Sequence, residues 1–167
     1  MPQTSLVLDK QTLSYTGLFD SNELYFIIDK WLKDNGYSKN EIKVREKVEE
    51  KGKYLYVLSQ PYKKMNNYLK TVIQIELEFS NMVDVKANLG NEKKRINQGD
   101  VDIDFYGMIV TDMEKKWEST PSRFLMRVFF DRFLLKSVTS QAEEMVSKDV
   151  KTLMKEIRSY LNIYDNK

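Results

Sequence analysis

The sequence has no cysteine and no histidine in 167 residues. Histidine is the usual general base near neutral pH and the commonest metal ligand, and cysteine supplies the thiolate nucleophile and the sulfur corner of most zinc sites. Their joint absence excludes Ser-His-Asp and Cys-His triads, zinc fingers, zinc deaminase sites and thiol redox chemistry. Carboxylates, lysine, tyrosine and oxygen-ligated cations remain, and none of them forms a recognisable catalytic signature. No cofactor and no enzymatic activity are expected. Proline is scarce at three residues, and the chain has no Pro- or Ser-rich linker and no internal repeat, so residues 1–167 are expected to form a single domain. No run of eighteen apolar residues exists, which excludes a membrane-spanning helix. Met1-Pro2-Gln3-Thr4-Ser5 lacks the basic and long apolar regions of a signal peptide. With the lack of cysteine, this makes the cytoplasm the expected location.

What is present is an ordinary globular composition, 41% apolar and 31% charged, so wholesale disorder is not expected. The 27 basic and 25 acidic groups nearly cancel. They are unevenly placed: residues 39–95 hold 13 basic and 8 acidic groups, which makes the middle of the chain mildly basic.

Residues 5–19 read as a short strand or extended arm. A helix follows, with Asp20 and Glu23 as a capping-box-like pair and Asn35-Gly36 as the stop. Leu24, Ile27, Ile28 and Trp31 form its buried stripe, and Phe26 falls on the opposite face among Asp29, Lys30 and Lys33. Ile42, Val44 and Val48 alternate with Lys43, Arg45 and Lys47 in a half-buried strand pattern, and a turn at Glu50 to Lys53 leads into Tyr54 to Leu58. Pro61 ends that strand or marks an edge or bulge. Beyond a polar stretch around Lys63 to Asn67, Leu69, Thr71, Ile73, Ile75, Leu77 and Phe79 share one face of the clearest strand. Asn88 to Gly99 reads as a long polar hairpin tip. Val101, Ile103, Phe105 and Ile109 form the returning strand, with Gly107 as a bend.

The last third is helical. Thr120-Pro121 is a start signal, and Leu125, Met126, Phe129, Phe130 and Phe133 make a first apolar stripe. A second runs through Ala142, Val146, Val150, Leu153, Ile157, Leu161 and Tyr164. The two are offset by roughly a hundred degrees on one helix, so a kink or break is expected near 137–140, with Ser140 and Glu143 as a new capping box. The fold class is therefore α+β: an antiparallel sheet of about four to six strands, one N-terminal helix and a long, kinked or broken C-terminal helix.

In element order, most of the chain resembles the helix-grip arrangement of START and Bet v 1-type ligand-binding domains, where a curved sheet wraps a terminal helix. It departs from that pattern in having one helix before the strands. The resemblance implies a small apolar-ligand carrier, whose cavity here would be lined by residues such as Ile73, Ile75, Phe105 and Phe129.

Three groups of residues are candidates for function. Asp100, Asp102 and Asp104 point to one face of a strand, but about 7 Å apart, too far for one ion to touch all three, so pairing with lysines across the sheet is expected instead. Lys93, Lys94 and Arg95, with the basic residues of 43–53, are candidate nucleic-acid contacts. Interleaved glutamates and the absence of any RNA-binding signature make only weak binding expected. The segment Arg123 to Lys136 is apolar almost all round a helix, with Phe124, Val128, Leu134 and Leu135 around the polar arc and Arg127 at the rim. Such a helix must be covered on more than one side. The leading expectation is a non-enzymatic interaction protein that contacts a protein partner or forms a homo-oligomer through this segment. The ligand carrier and a nucleic-acid or ribosome-associated factor are the alternatives.

Overall fold

The computed structural model describes residues 3–111, Leu125 and residues 135–165. Its elements, in chain order, are β1 (Gln3–Phe19), α1 (Ser21–Asp34), β2 (Glu41–Glu49), β3 (Gly52–Ser59), β4 (Tyr62–Lys64), β5 (Leu69–Leu89), β6 (Glu92–Thr111) and α2 (Leu135–Asp165). The class is α+β, as the sequence pattern predicts. A six-stranded antiparallel sheet has the order β1-β6-β5-β3-β2, and β4 pairs with β5. Among the described residues no helix is long and apolar enough to cross a membrane.

Local chemistry explains the element boundaries. The Asp20 carboxylate accepts from the Asn22 and Glu23 amides at 3.1 Å each, capping α1. Gly36, at φ +81°, ends the helix, and the Tyr37 amide donates back to the Leu32 carbonyl at 2.8 Å. Pro61 divides β3 from β4, yet its carbonyl still accepts the Ile73 amide at 3.0 Å. At Asn81, φ +51°, β5 bulges between Ser80 and Val83. Gly52 of β3 and Gly99 of β6 close in on it from either side. A Cβ on Gly52 would lie 2.8 Å from the Asn81 carbonyl carbon, and one on Gly99 2.8 Å from the Ser80 oxygen.

The register separates two faces. On the inner face, Val44, Val57, Leu77, Ile103 and Leu13 form one five-strand row. Helices α1 and α2 cover the middle of this face. Leu24, Ile28 and Leu32 come from α1, and Val146, Val150, Leu153, Ile157 and Leu161 from α2. Gly107 turns out to be a point of close approach. A Cβ there would stand 3.1 Å from the Leu8 Cβ and 3.4 Å from Val146. The terminal helix thus packs on the sheet as the helix-grip order implies.

Four expectations need correction. The 5–19 segment belongs to a 17-residue edge strand, Gln3–Phe19, paired with β6 along its length with register shifts between Leu6 and Gln11. The long polar tip at 88–99 is paired strand, and only Gly90 and Asn91 form the turn. The side chains from 92 to 95 at this hairpin end are exposed, short of the buried Ile96, so the apolar alternation that marks a strand fades. The half-buried strand at 41–49 is exposed along its whole length, with Val48 87% accessible, because β2 is the outermost strand and no described residue covers it. Finally, α2 runs on through 137–140, and the Ser140 hydroxyl donates to the Lys136 carbonyl at 2.8 Å instead of capping a new helix. Of the first apolar stripe only Leu125 is described, helical and 69% exposed; Met126 to Phe133 and the Thr120-Pro121 start signal lie outside the described residues.

Candidate interaction surface

Among the described residues no helix covers the outer face of the sheet, and there charge is sorted by strand. One row crosses Arg45, Tyr56, Glu78, Asp102 and Ser14, each opposite the next; a second crosses Lys43, Leu58, Glu76, Asp104 and Thr12. Lys47 beside Tyr54, and Ser80 beside Asp100 and Thr16, extend the pattern. From β2 to β1 the face therefore passes from cations through aromatic and aliphatic side chains to two adjacent carboxylate columns, and then to hydroxyls.

The expected lysine partners of the aspartates are mostly absent. Thr12, Ser14 and Thr16 donate to Asp104, Asp102 and Asp100 at 2.6, 2.5 and 2.8 Å. Among the described residues Lys10 alone forms an ion pair here, with Asp104 at 3.0 Å. That hydrogen bond and charge raise the Lys10 pKa. Hydrogen bonds from Asn81 and Thr16 hold the Asp100 carboxyl below its usual value. Glu76 faces Asp104 and Glu78 faces Asp102, like charge against like, an arrangement that costs stability. No group of acidic side chains among the described residues is arranged to hold a metal ion. Tyr54 and Tyr56 lie between the two signs, their phenols pushed up by partial burial and then by Glu78 and Glu76.

Lys43, Arg45 and Lys47 have no ion-pair partner among the described residues. Arg45 and Asp102 share a row but are three strand spacings apart, about 14 Å, beyond the reach of a side chain.

The other predicted residues fall elsewhere. Lys93, Lys94 and Arg95 lie near the start of β6. Lys94 is committed to the fold: its ammonium lies 3.0 Å from Asp20 and 3.7 Å from Glu23, at the cap of α1. Ile73, Ile75 and Phe105 are packed in the core at 2% exposure or less, and no described cleft is lined by them. Phe129, Phe124, Arg127, Val128 and Leu134 lie outside the described residues. Leu135 opens α2, and its side chain is likewise outside them.

Sequence reasoning missed a cleft of about 320 Å³ between α1 and the chain around Asn40, Ser59 and Pro61. Ile28, Leu32 and Tyr37 form its buried floor, and Tyr25, Asp29, Lys33 and Lys39 its rim. The Lys39 ammonium stands 5.0 Å from the Tyr25 ring centroid and 3.5 and 3.6 Å from Asp29 and Glu41. The exposed side of α1 bearing Asp29 and Lys33 was legible; that the chain after Gly36 returns beside it was not.

No family model matches the chain, and no curated protein does. Among solved structures it is similar to a protein of unknown function from Staphylococcus aureus, at 10% sequence identity and a TM-score of 0.31, over 99% of this chain and 98% of that one. A likeness of that degree assigns no activity.

Proposed function

We propose that the protein is a non-enzymatic interaction protein that associates with a second copy of itself through the open sheet face. The observation that carries this reading is the separation of Lys43, Arg45 and Lys47, without ion-pair partners among the described residues, from the like-charged carboxylate columns of β5 and β6. A two-fold axis parallel to the strands, between β3 and β5, sets Arg45 of one copy over Asp102 of the other, Lys43 over Asp104 and Lys47 over Asp100. Symmetry repeats all three pairs, as an isologous contact requires. At the centre of this contact Tyr56 and Leu58 of one copy lie over Glu78 and Glu76 of the other, so the tyrosine hydroxyl is placed to meet the central carboxylates. The pairing also relieves the repulsion between Glu78 and Asp102 that an isolated chain leaves in place. The nucleic-acid reading draws less support, since Lys94 is held by Asp20 and Glu23.

Light scattering on the full chain tests the proposal. The native protein is expected at twice its 19.8 kDa mass, dissociating as salt rises. Reversing Lys43, Arg45 and Lys47 to glutamate gives a monomer, as does reversing Asp100, Asp102 and Asp104 to lysine, and an equimolar mixture of the two variants restores the dimer. A native monomer at high micromolar concentration, or triple variants that still dimerise, would overturn it.

A further inference from the structure

The cleft under α1 carries a separate inference: we infer that it binds a small apolar acid, a carboxylate on a medium-length alkyl chain or a single ring. The floor presents carbon. Ile28, Leu32 and Tyr37 are each buried to 8% exposure or less, and the Tyr37 hydroxyl is engaged with Asp149 of α2 at 2.7 Å. Stacking on Trp31, with ring centroids 6.3 Å apart and planes 27° apart, fixes the same ring. The floor is thus built in advance, so a ligand does not have to order it.

The rim supplies the sign. Lys39 is held between two carboxylates, Asp29 and Glu41, a trio of net charge −1 that leaves Lys33 and Lys63 as the cations able to meet an anion. Lys33 lines the cleft and has no ion-pair partner among the described residues. The Lys63 ammonium, 5.6 Å from the Tyr37 ring centroid, adds a further positive charge nearby. An apolar slot with a free cation at its lip selects a ligand with an apolar body and an anionic head. A volume of about 320 Å³ lies at the small end of ligand pockets, which excludes a long lipid chain.

The test is an amide NMR titration of the full-length protein with decanoate, decanol and decylamine. Decanoate is expected to shift the Lys33, Asn40 and Ser59 amides saturably with a sub-millimolar Kd, at least tenfold more tightly than decanol, with no saturable effect from decylamine. Lys33→Glu, at an exposed position, should weaken decanoate at least tenfold while leaving the spectrum otherwise folded. Ser59→Phe, which fills the cleft from β3, should abolish binding. Absence of saturable shifts, equal affinity for decanol, or a Lys33→Glu protein that binds decanoate unchanged would overturn the inference. Because the Lys33 variant keeps the fold, the test does not depend on Ser59→Phe folding.

Discussion

The Tyr160 hydroxyl of α2 accepts the Asp20 amide at 3.1 Å and shares its single proton between the Asp20 carbonyl at 3.1 Å and Glu23 Oε2 at 3.3 Å. One phenol thus ties the end of the long helix to the first turn of the short one, 140 residues earlier. Tyr164 adds a bond to Glu23 at 3.0 Å, and Lys94 closes the node from β6. Tyr160→Phe keeps the ring but leaves the Asp20 amide and carbonyl without it. A loss of about 1–3 kcal/mol is expected in urea unfolding. Asp20→Ala, which removes the cap itself, should cost about 0.5–2 kcal/mol.

The same node, together with the buried Tyr37, contributes to both pH limits. Burial pushes the Asp20 carboxyl up, but the Lys94 ammonium and the Glu23 and Asn22 amides outweigh it and hold the pKa below its usual 3.8. Its stabilisation is complete above the unfolded value and is lost as pH falls through the depressed folded value. Burial raises Tyr37, Tyr160 and Tyr164, with Asp149 reinforcing it at Tyr37. These phenols stay protonated in the native state after the unfolded chain ionises, near 10.0. Stability is therefore intact below about pH 10 and falls as pH rises toward the raised values. Chemical denaturation across both limits should show Asp20→Asn flattening the acid limb and Tyr160→Phe the alkaline one.

The facing pair Glu78 and Asp102 gives a prediction of opposite sign to most substitutions. At concentrations low enough to keep the chain monomeric, Glu78→Lys should raise stability by about 0.2–1 kcal/mol, because it replaces repulsion across β5 and β6 with attraction. The gain should shrink in high salt. A loss of stability would mean that the interaction between Tyr54 and Glu78 outweighs the repulsion.

Phe105 separates core from carrier cavity. It is fully buried, as are Ile73 and Val101, so Phe105→Ala should cost about 3–5 kcal/mol in thermal or urea unfolding. Val48→Ser, on the exposed β2, should change stability by less than about 0.5 kcal/mol.

The sequence carried the elements whose periodicity is enforced by burial. The α1 stripe, the alternating face of 69–79 and the α2 stripe from Ala142 to Tyr164 each lie against the core, so their patterns are strict. At β2 the alternation of Ile42, Val44 and Val48 is present but no described residue buries it, and at the 88–95 hairpin end the alternation is absent although the strands pair, so the pattern misleads in both directions. The charge-sorted face was visible only in part. Asp100, Asp102 and Asp104 follow from period two along one strand, but their opposition to Glu76 and Glu78 depends on the register between strands. That register is shifted at the Asn81 bulge, which only the glycines hint at.

Gly99 provides the test of that bulge. Its position admits no side chain, since a Cβ would lie 2.8 Å from the Ser80 carbonyl oxygen and 3.0 Å from the Met82 Cα. Both neighbours are backbone in a paired strand and cannot rotate away. Gly99→Ala must push β5 from β6 at the bulge, for an expected loss of about 1–3 kcal/mol, the usual scale for overpacking. The displacement bears directly on the outer face, because the Asn81 side-chain amide donates to Asp100 at 2.8 Å across this same junction. Amide NMR should show shifts concentrated at Ser80 to Val83 and Asp100, leaving α1 undisturbed. If self-association uses Asp100 against Lys47, the variant should also dimerise more weakly while remaining folded. A Gly99→Ala protein with native stability and native Asn81 and Asp100 shifts would show that the strand pair accommodates a methyl group here, and that the bulge does not fix the carboxylate columns.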